Sequence, residues 1–102
     1  MNEETILPEL ILPDSFSERT ACEMTWKGYY PVDVKLGDGS VIRLTFFDPV
    51  RLKQEIDDQF KEGDFYFAEP NLIIIPEVKL ETIKAAILSL WEEGFFSRLK
   101  PR

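Results

Sequence analysis

The feature that most constrains this chain is an uninterrupted apolar run, Leu72-Ile73-Ile74-Ile75, which follows Pro70-Asn71 and is closed by Pro76. The isoleucines are β-branched, and such side chains are restricted at χ1 and favour strands. A run this short between two prolines does not have the length of a helix. The sequence therefore predicts a fully buried strand here, against which the other elements can be arranged.

A hairpin is predicted upstream of this run. Residues 30–36 and 41–46 each alternate apolar and polar side chains, which is the period of a half-buried strand. Between them, Asp38-Gly39 supplies the positive φ angles that a tight hairpin turn requires. Pro31 cannot donate a ladder hydrogen bond, so the first strand is expected either to lie at a sheet edge or to begin there.

Two amphipathic helices are predicted, one after each pair of strands. Asp48-Pro49 is a typical N-cap followed by a first-turn proline, and Leu52, Ile56 and Phe60 then form a narrow apolar stripe that ends before Gly63. The second helix is predicted over residues 80–93, and its apolar face is wider, so we expect it to be more deeply buried. That face consists of Leu80, Ile83, Ile87, Leu90 and Trp91.

The remaining segments complete the predicted architecture. Residues 64–68 are rich in aromatic side chains and are predicted to form a hairpin with the apolar run, whereas residues 20–26 indicate a short strand only weakly. We therefore expect an α+β fold of order ββαββα, with a four-stranded, mainly antiparallel sheet and both helices on one face. Residues 21–102 are predicted to form this single domain. Residues 1–20 are predicted to form an extended arm, for which packing across the core is favoured over docking on a partner.

Charge and cysteine content bound the cellular setting. The 19 acids outnumber the 12 bases and give a net charge of −7, which argues against a nucleic-acid partner. Acidity either keeps a small protein soluble, the favoured interpretation, or forms a face for a basic partner. With Cys22 as the single cysteine and no apolar stretch of the roughly 20 residues that span a bilayer, we expect a cytoplasmic protein without a membrane partner.

Few residues in the sequence point to catalysis. The chain has no histidine, so the usual general base near neutral pH and the commonest metal ligand are missing. Cys22 lies beside Glu23, whose charge disfavours a thiolate, and a buried structural thiol is predicted. The acids between Asp57 and Asp64 match the spacing of no cation loop. We predict no catalytic residue, no cofactor and no metal site.

The aromatic residues outside the regular alternation are the candidate interface. The aromatic residues are Trp26, Tyr29, Phe95 and Phe96, and the nearby cation is Arg98. Aromatic residues and arginine are enriched at the centres of protein interfaces. A homodimer that uses the C-terminal phenylalanines is one expectation, and the equally supported alternative is that both rings fold back onto their own core.

Two functional hypotheses from different classes follow. The first is a small, acidic, non-catalytic module that binds another protein, which includes adaptors, regulators and inhibitors of the immunity type. The second is a small enzyme or ligand-binding protein that uses carboxylates in a pocket between helices and sheet. The lack of catalytic motifs and the number of aromatic residues favour the first.

Overall fold

The structure is a computed structural model that describes residues 6–99, and these form a four-stranded sheet with four helices. In chain order the elements are β1 (Glu9–Ile11), α1 (Glu18–Lys27), β2 (Tyr29–Lys35), β3 (Val41–Phe47), α2 (Pro49–Lys61), β4 (Leu72–Ile74), α3 (Leu80–Glu92) and α4 (Phe95–Leu99). The α+β class and the four-stranded sheet are those predicted from the sequence.

The sheet is mixed, with the strand order β1-β2-β3-β4. The pairs β1–β2 and β2–β3 are antiparallel, whereas β3–β4 is parallel, with Leu72 opposite Thr45. The parallel pair arises because α2 carries the chain back between β3 and β4, as parallel strands require. The predicted hairpin of β2 and β3 is confirmed. Its turn is closed by hydrogen bonds from the Leu36 amide to the Ser40 carbonyl at 2.8 Å and from the Gly39 amide to the Leu36 carbonyl at 2.9 Å.

The fourth strand is supplied by another part of the chain than the sequence indicated. Residues 64–68 form no strand, and Phe65 in that segment is 90% exposed. The fourth strand is instead β1, which belongs to the predicted N-terminal arm and lies at the opposite edge of the sheet from β4, where Leu10 pairs with Val34. The second hairpin is therefore absent within residues 6–99, since β4 pairs with β3 instead of with its own upstream neighbour.

The main core lies on one face of the sheet. The buried residues of this core cluster are Met24, Val32, Val34, Leu36, Leu44, Phe46, Ile75, Val78, Ile83, Ile87 and Phe96. They come from α1, α3 and α4 as well as from the strands, and α3 is the more deeply buried of the two predicted helices, as expected. In contrast, α2 has no buried residue and contributes nothing to this cluster. The expectation that α2 and α3 cover the same face is thus corrected.

The apolar run at β4 is less buried than predicted. Ile75 lies in the core, but Ile74 is 53% exposed because β4 is an edge strand with a neighbour on one side only. Thr45 and Phe47 alternate with the core residues of β3, so they point to the other face, and both are nevertheless buried. The sheet is therefore covered at this end on both faces. Within residues 6–99 no helix combines the length and apolar character needed to cross a membrane.

Candidate functional site

Helix α1 provides one wall of the candidate site, and the sequence analysis did not predict it. Ser17 caps the helix by accepting a hydrogen bond from the Thr20 amide at 3.3 Å, and the Thr20 hydroxyl accepts one from the Ser17 amide at 3.3 Å. At the other end Gly28 adopts a left-handed conformation, with φ of 70°. This reciprocal cap and terminal glycine are the signals that mark a helix over a segment with weak alternation.

The side chain of Trp26 projects from α1 into solvent. Met24 is the one buried residue of this helix, and Trp26 lies two positions further on, roughly 200° around the helix axis. Its side chain is consequently 88% exposed. Cys22 lies on the same side of α1 as Trp26 because four positions separate them, whereas Thr25 and Ala21 lie further round the helix, towards the side of Met24.

The start of α3 forms the opposite wall. The Thr25 hydroxyl donates a hydrogen bond to the Val78 carbonyl at 2.7 Å, which ties α1 to the residues just before α3. Val78 itself is fully buried, so this contact is anchored in the core. The next residues along the chain, Lys79, Leu80 and Glu81, therefore face α1 across a short gap.

The gap is an open groove with a cavity volume of about 510 Å³. It is lined by Ala21, Cys22, Thr25, Trp26, Lys79, Leu80 and Glu81, which we call the Trp26 groove. Its walls are largely apolar, and its charged groups are one ammonium and one carboxylate. The Lys79 ammonium is 3.5 Å from the Glu77 carboxylate, so part of its charge is already balanced.

The structure corrects one expectation at this groove and brings in one residue that was predicted. Trp26 was among the candidate interface residues and lines the groove. Cys22 was predicted to be a buried structural thiol, but it is exposed and faces the groove. The reason is that α1 buries only the side of Met24, and Cys22 lies on the opposite side with Trp26.

The other candidate interface residues lie away from the Trp26 groove. Tyr29 is half-buried at the start of β2, where its ring contacts that of Phe47 with centroids 4.9 Å apart. Phe96 is in the core, Phe95 is half-buried against it, and their rings meet edge to face at 5.4 Å. The alternative in which these rings fold back is thus the arrangement found. Arg98 is exposed in α4.

A pair of residues on the sheet has shifted pKa values. The pKa of Asp33 is lowered, mainly because its carboxylate accepts hydrogen bonds from the Arg43 guanidinium at 2.8 and 3.2 Å, and the pKa of Arg43 is raised by the same contact. These two residues are directly opposite each other on β2 and β3. They form a cross-strand ion pair, which is a structural role.

Carboxylates are sparse in the groove, where Glu81 is the single acidic lining residue. In the part of the chain that the structure describes, no group of three or more histidine, cysteine, aspartate or glutamate side chains is placed to hold a metal ion. The arrangement can therefore supply apolar contact, one aromatic ring and a thiol, but it does not bring together a pair of acids for proton transfer.

A comparison with protein-family models, with curated proteins and with solved structures found no match. The geometry of the described residues thus carries the functional argument by itself.

Proposed function

We propose that this protein is a small, non-catalytic, cytoplasmic interaction module that binds another protein at the Trp26 groove. The observation that carries the proposal is the 88% exposure of Trp26 beside an apolar groove. A tryptophan side chain has a large apolar area, so leaving it in water forgoes a large favourable burial energy. Tryptophan is also enriched among the interface residues that contribute most of the binding energy.

The occupant that fits this groove is an apolar segment of a partner chain. The cavity volume of about 510 Å³ lies within the range of pockets that hold a drug-sized ligand, so the groove accommodates a few aliphatic or aromatic side chains but not a folded domain. Lys79 and Glu81 stand on one wall and give it both signs of charge, so the groove has no strong preference for an acidic or a basic segment. Apolar shape is then the main determinant of recognition.

A photo-crosslinking experiment identifies the partner, and a purified complex tests the proposal. A benzophenone amino acid replaces Trp26 in one variant and Lys84, an exposed residue of α3 outside the groove, in the control variant. We expect a discrete crosslinked partner from position 26 that is absent from position 84.

Binding of that purified partner to the unlabelled proteins then decides the outcome. The Trp26→Ser variant should lose at least about 30-fold in affinity, the effect expected of a hot-spot residue, while Lys84→Ser should bind like the wild type. Equal affinity of the wild type and Trp26→Ser would refute the groove as the binding site. Identical crosslinks from positions 26 and 84 would also refute the groove as the binding site.

The homodimer hypothesis is a special case in which the partner is a second copy. Because Phe96 is in the core, the apolar contact would come from Trp26 and the half-buried Phe95. The hypothesis predicts a dimer by sedimentation equilibrium at high micromolar concentration and a monomer for Trp26→Ser. A wild-type protein that is monomeric under these conditions excludes it.

A further inference from the structure

A second exposed surface lies far along the chain from the Trp26 groove, after α2. Phe65 is 90% exposed and Tyr66 is 63% exposed. Their rings contact each other edge to face, with centroids 5.2 Å apart and an angle of 71° between the planes. Phe60, in the last turn of α2, is also about half exposed. We call the three rings the aromatic corner.

The folded chain leaves the aromatic corner uncovered. The amides of Gly63 and Asp64 donate hydrogen bonds to carbonyls in the last turn of α2, at 3.2 and 3.1 Å. This turn holds the segment against the helix end, and residues 64–69 pair with no strand. Aromatic side chains bury large areas when covered, so two adjacent exposed rings are a surface suited to a partner.

The chain segment that carries the aromatic corner is strongly acidic. From Asp57 to Glu69 the chain carries five acids and one base, Lys61. Asp57 is paired with Lys53 at 2.9 Å. The exposed carboxylates of Asp58, Glu62 and Asp64 take part in no salt bridge within the described residues. In this respect the surface differs from the Trp26 groove, whose two charges have opposite signs.

We propose that the aromatic corner binds a basic, arginine-bearing segment of a partner protein. A guanidinium group stacks on an aromatic ring and at the same time donates hydrogen bonds to carboxylates, and Phe65, Tyr66 and their acidic neighbours offer both. Lysine shares the charge but lacks the planar, stacking group, so arginine is the preferred residue. This surface is independent of the Trp26 groove, and neither proposal requires the other.

The test uses a short acetylated peptide of arginines alternating with glycines, together with the matched lysine peptide and a leucine peptide. Binding to the whole protein is measured by isothermal titration calorimetry at low and at high salt. We expect the arginine peptide to bind more tightly than the lysine peptide and the leucine peptide not to bind.

Two matched pairs of variants separate stacking from net charge. Phe65→Ser with Tyr66→Ser leaves the charge unchanged and should weaken arginine-peptide binding by about 3- to 30-fold, whereas Trp26→Ser should have no effect. Asp58→Asn, Glu62→Gln and Asp64→Asn together should weaken binding and reduce its salt dependence. The same number of charges removed at Glu18, Glu92 and Glu93, which are exposed elsewhere, should have a smaller effect.

Three results would overturn the proposal. One is an unchanged dissociation constant for the Phe65→Ser, Tyr66→Ser protein. Another is equal binding of the arginine and lysine peptides with equal loss in both charge variants, which is the signature of non-specific attraction to an acidic protein. A third is preferential binding of the leucine peptide, or a dimer that the double serine variant dissociates, since either result would assign the corner to an apolar partner or to a second copy. Circular dichroism of each variant confirms that the fold is retained.

Discussion

Gly28 is the residue at which two helices of this protein meet. It ends α1 with φ of 70°, its carbonyl accepts a hydrogen bond from the Asp48 amide at 2.9 Å, and Asp48 in turn caps α2. A Cβ atom placed on Gly28 would collide with the Asp48 carboxylate. The end of one helix therefore leaves just enough space for the cap of the next.

Replacing Gly28 with alanine should destabilise the protein by more than the roughly 1–2 kcal/mol that the left-handed conformation costs an ordinary residue. The excess comes from displacement of the Asp48 cap. Gly94→Ala is the matched control, since Gly94 also has a positive φ, 79°, but open space at the Cβ position. Urea unfolding measures the change in the free energy of unfolding for both variants. Equal losses for the two variants would show that the Asp48 collision has no energetic effect.

The Asp33–Arg43 pair gives a prediction about pH. Because the pKa of Asp33 is lowered in the folded state, the pair stabilises the protein above the pKa of a free aspartate, about 4, and this contribution is lost as the pH falls through the lower, folded pKa. Since the side chains are 34% and 66% exposed, solvent screens the pair and the effect should be small. Asp33→Asn should thus be slightly less stable than the wild type near neutral pH, with the difference vanishing in strong acid. A difference that grows in acid would contradict this assignment.

The helices differ in how firmly they are attached. α3 buries Ile83 and Ile87 in the core cluster, whereas every apolar residue of α2 retains solvent exposure. Segments with few buried apolar contacts open at lower free energy than the whole molecule. The secondary structure of α2 still forms because Asp48 caps it, accepting a hydrogen bond from the Arg51 amide at 2.7 Å, and because pairs such as Lys53–Asp57 support its exposed side.

Hydrogen exchange should separate the two helices. We expect amides in the middle of α2 to exchange through a local opening that costs less free energy than global unfolding, and those of α3 near Ile83 to exchange only with global unfolding. Ile83→Ala should likewise cost about 2–5 kcal/mol, and Phe60→Ala, which removes a half-exposed ring, only about 1 kcal/mol. Equal protection of α2 and α3 would show that α2 is as well anchored as the core.

Helices and strands with strong local signals were predictable from the sequence, whereas the choice of which strands pair with each other was less predictable. Asp48-Pro49 located α2, Asp38-Gly39 located the hairpin, and the wide apolar face located α3. The aromatic residues 64–68 suit a strand equally well, but strand pairing is decided by distant chain segments: β4 pairs with β3, and β1 supplies the fourth strand at the other edge. Propensity alone does not distinguish these two outcomes.

The residues of the Trp26 groove were also predictable only where the signal was local. Trp26 was predicted because it lay outside any regular alternation. Its position on a helix surface, and that of Cys22 beside it, required recognition of the Ser17–Thr20 cap. The groove itself depends on the approach of α1 to the start of α3, more than 50 positions further along the chain, which no local pattern in the sequence specifies. The exposure of Phe65 and Tyr66 likewise follows from a pairing that did not form.

At the scale of the whole molecule, the two exposed aromatic surfaces belong to different parts of the fold. The Trp26 groove is built on α1 and α3, which pack on the core, and the aromatic corner follows the more weakly attached α2. Substitutions at sites without shared contacts have additive effects. Serine at Trp26 should therefore leave binding at the aromatic corner unchanged, and the converse should hold as well.

Binding at the Trp26 groove is measured by the affinity of one peptide ligand for the wild type and for Trp26→Ser. Peptides are selected from a random displayed library on the wild-type protein alone, and the dissociation constants of the selected peptides for the wild type and for Trp26→Ser are then compared. Removal of so exposed a side chain should leave the free energy of unfolding within about 0.5 kcal/mol of the wild type, so any loss of affinity reports binding. We expect the selected peptides to share apolar anchors and to bind Trp26→Ser at least about 30-fold more weakly than the wild type. Selected peptides that bind both proteins with equal affinity would contradict binding at the Trp26 groove.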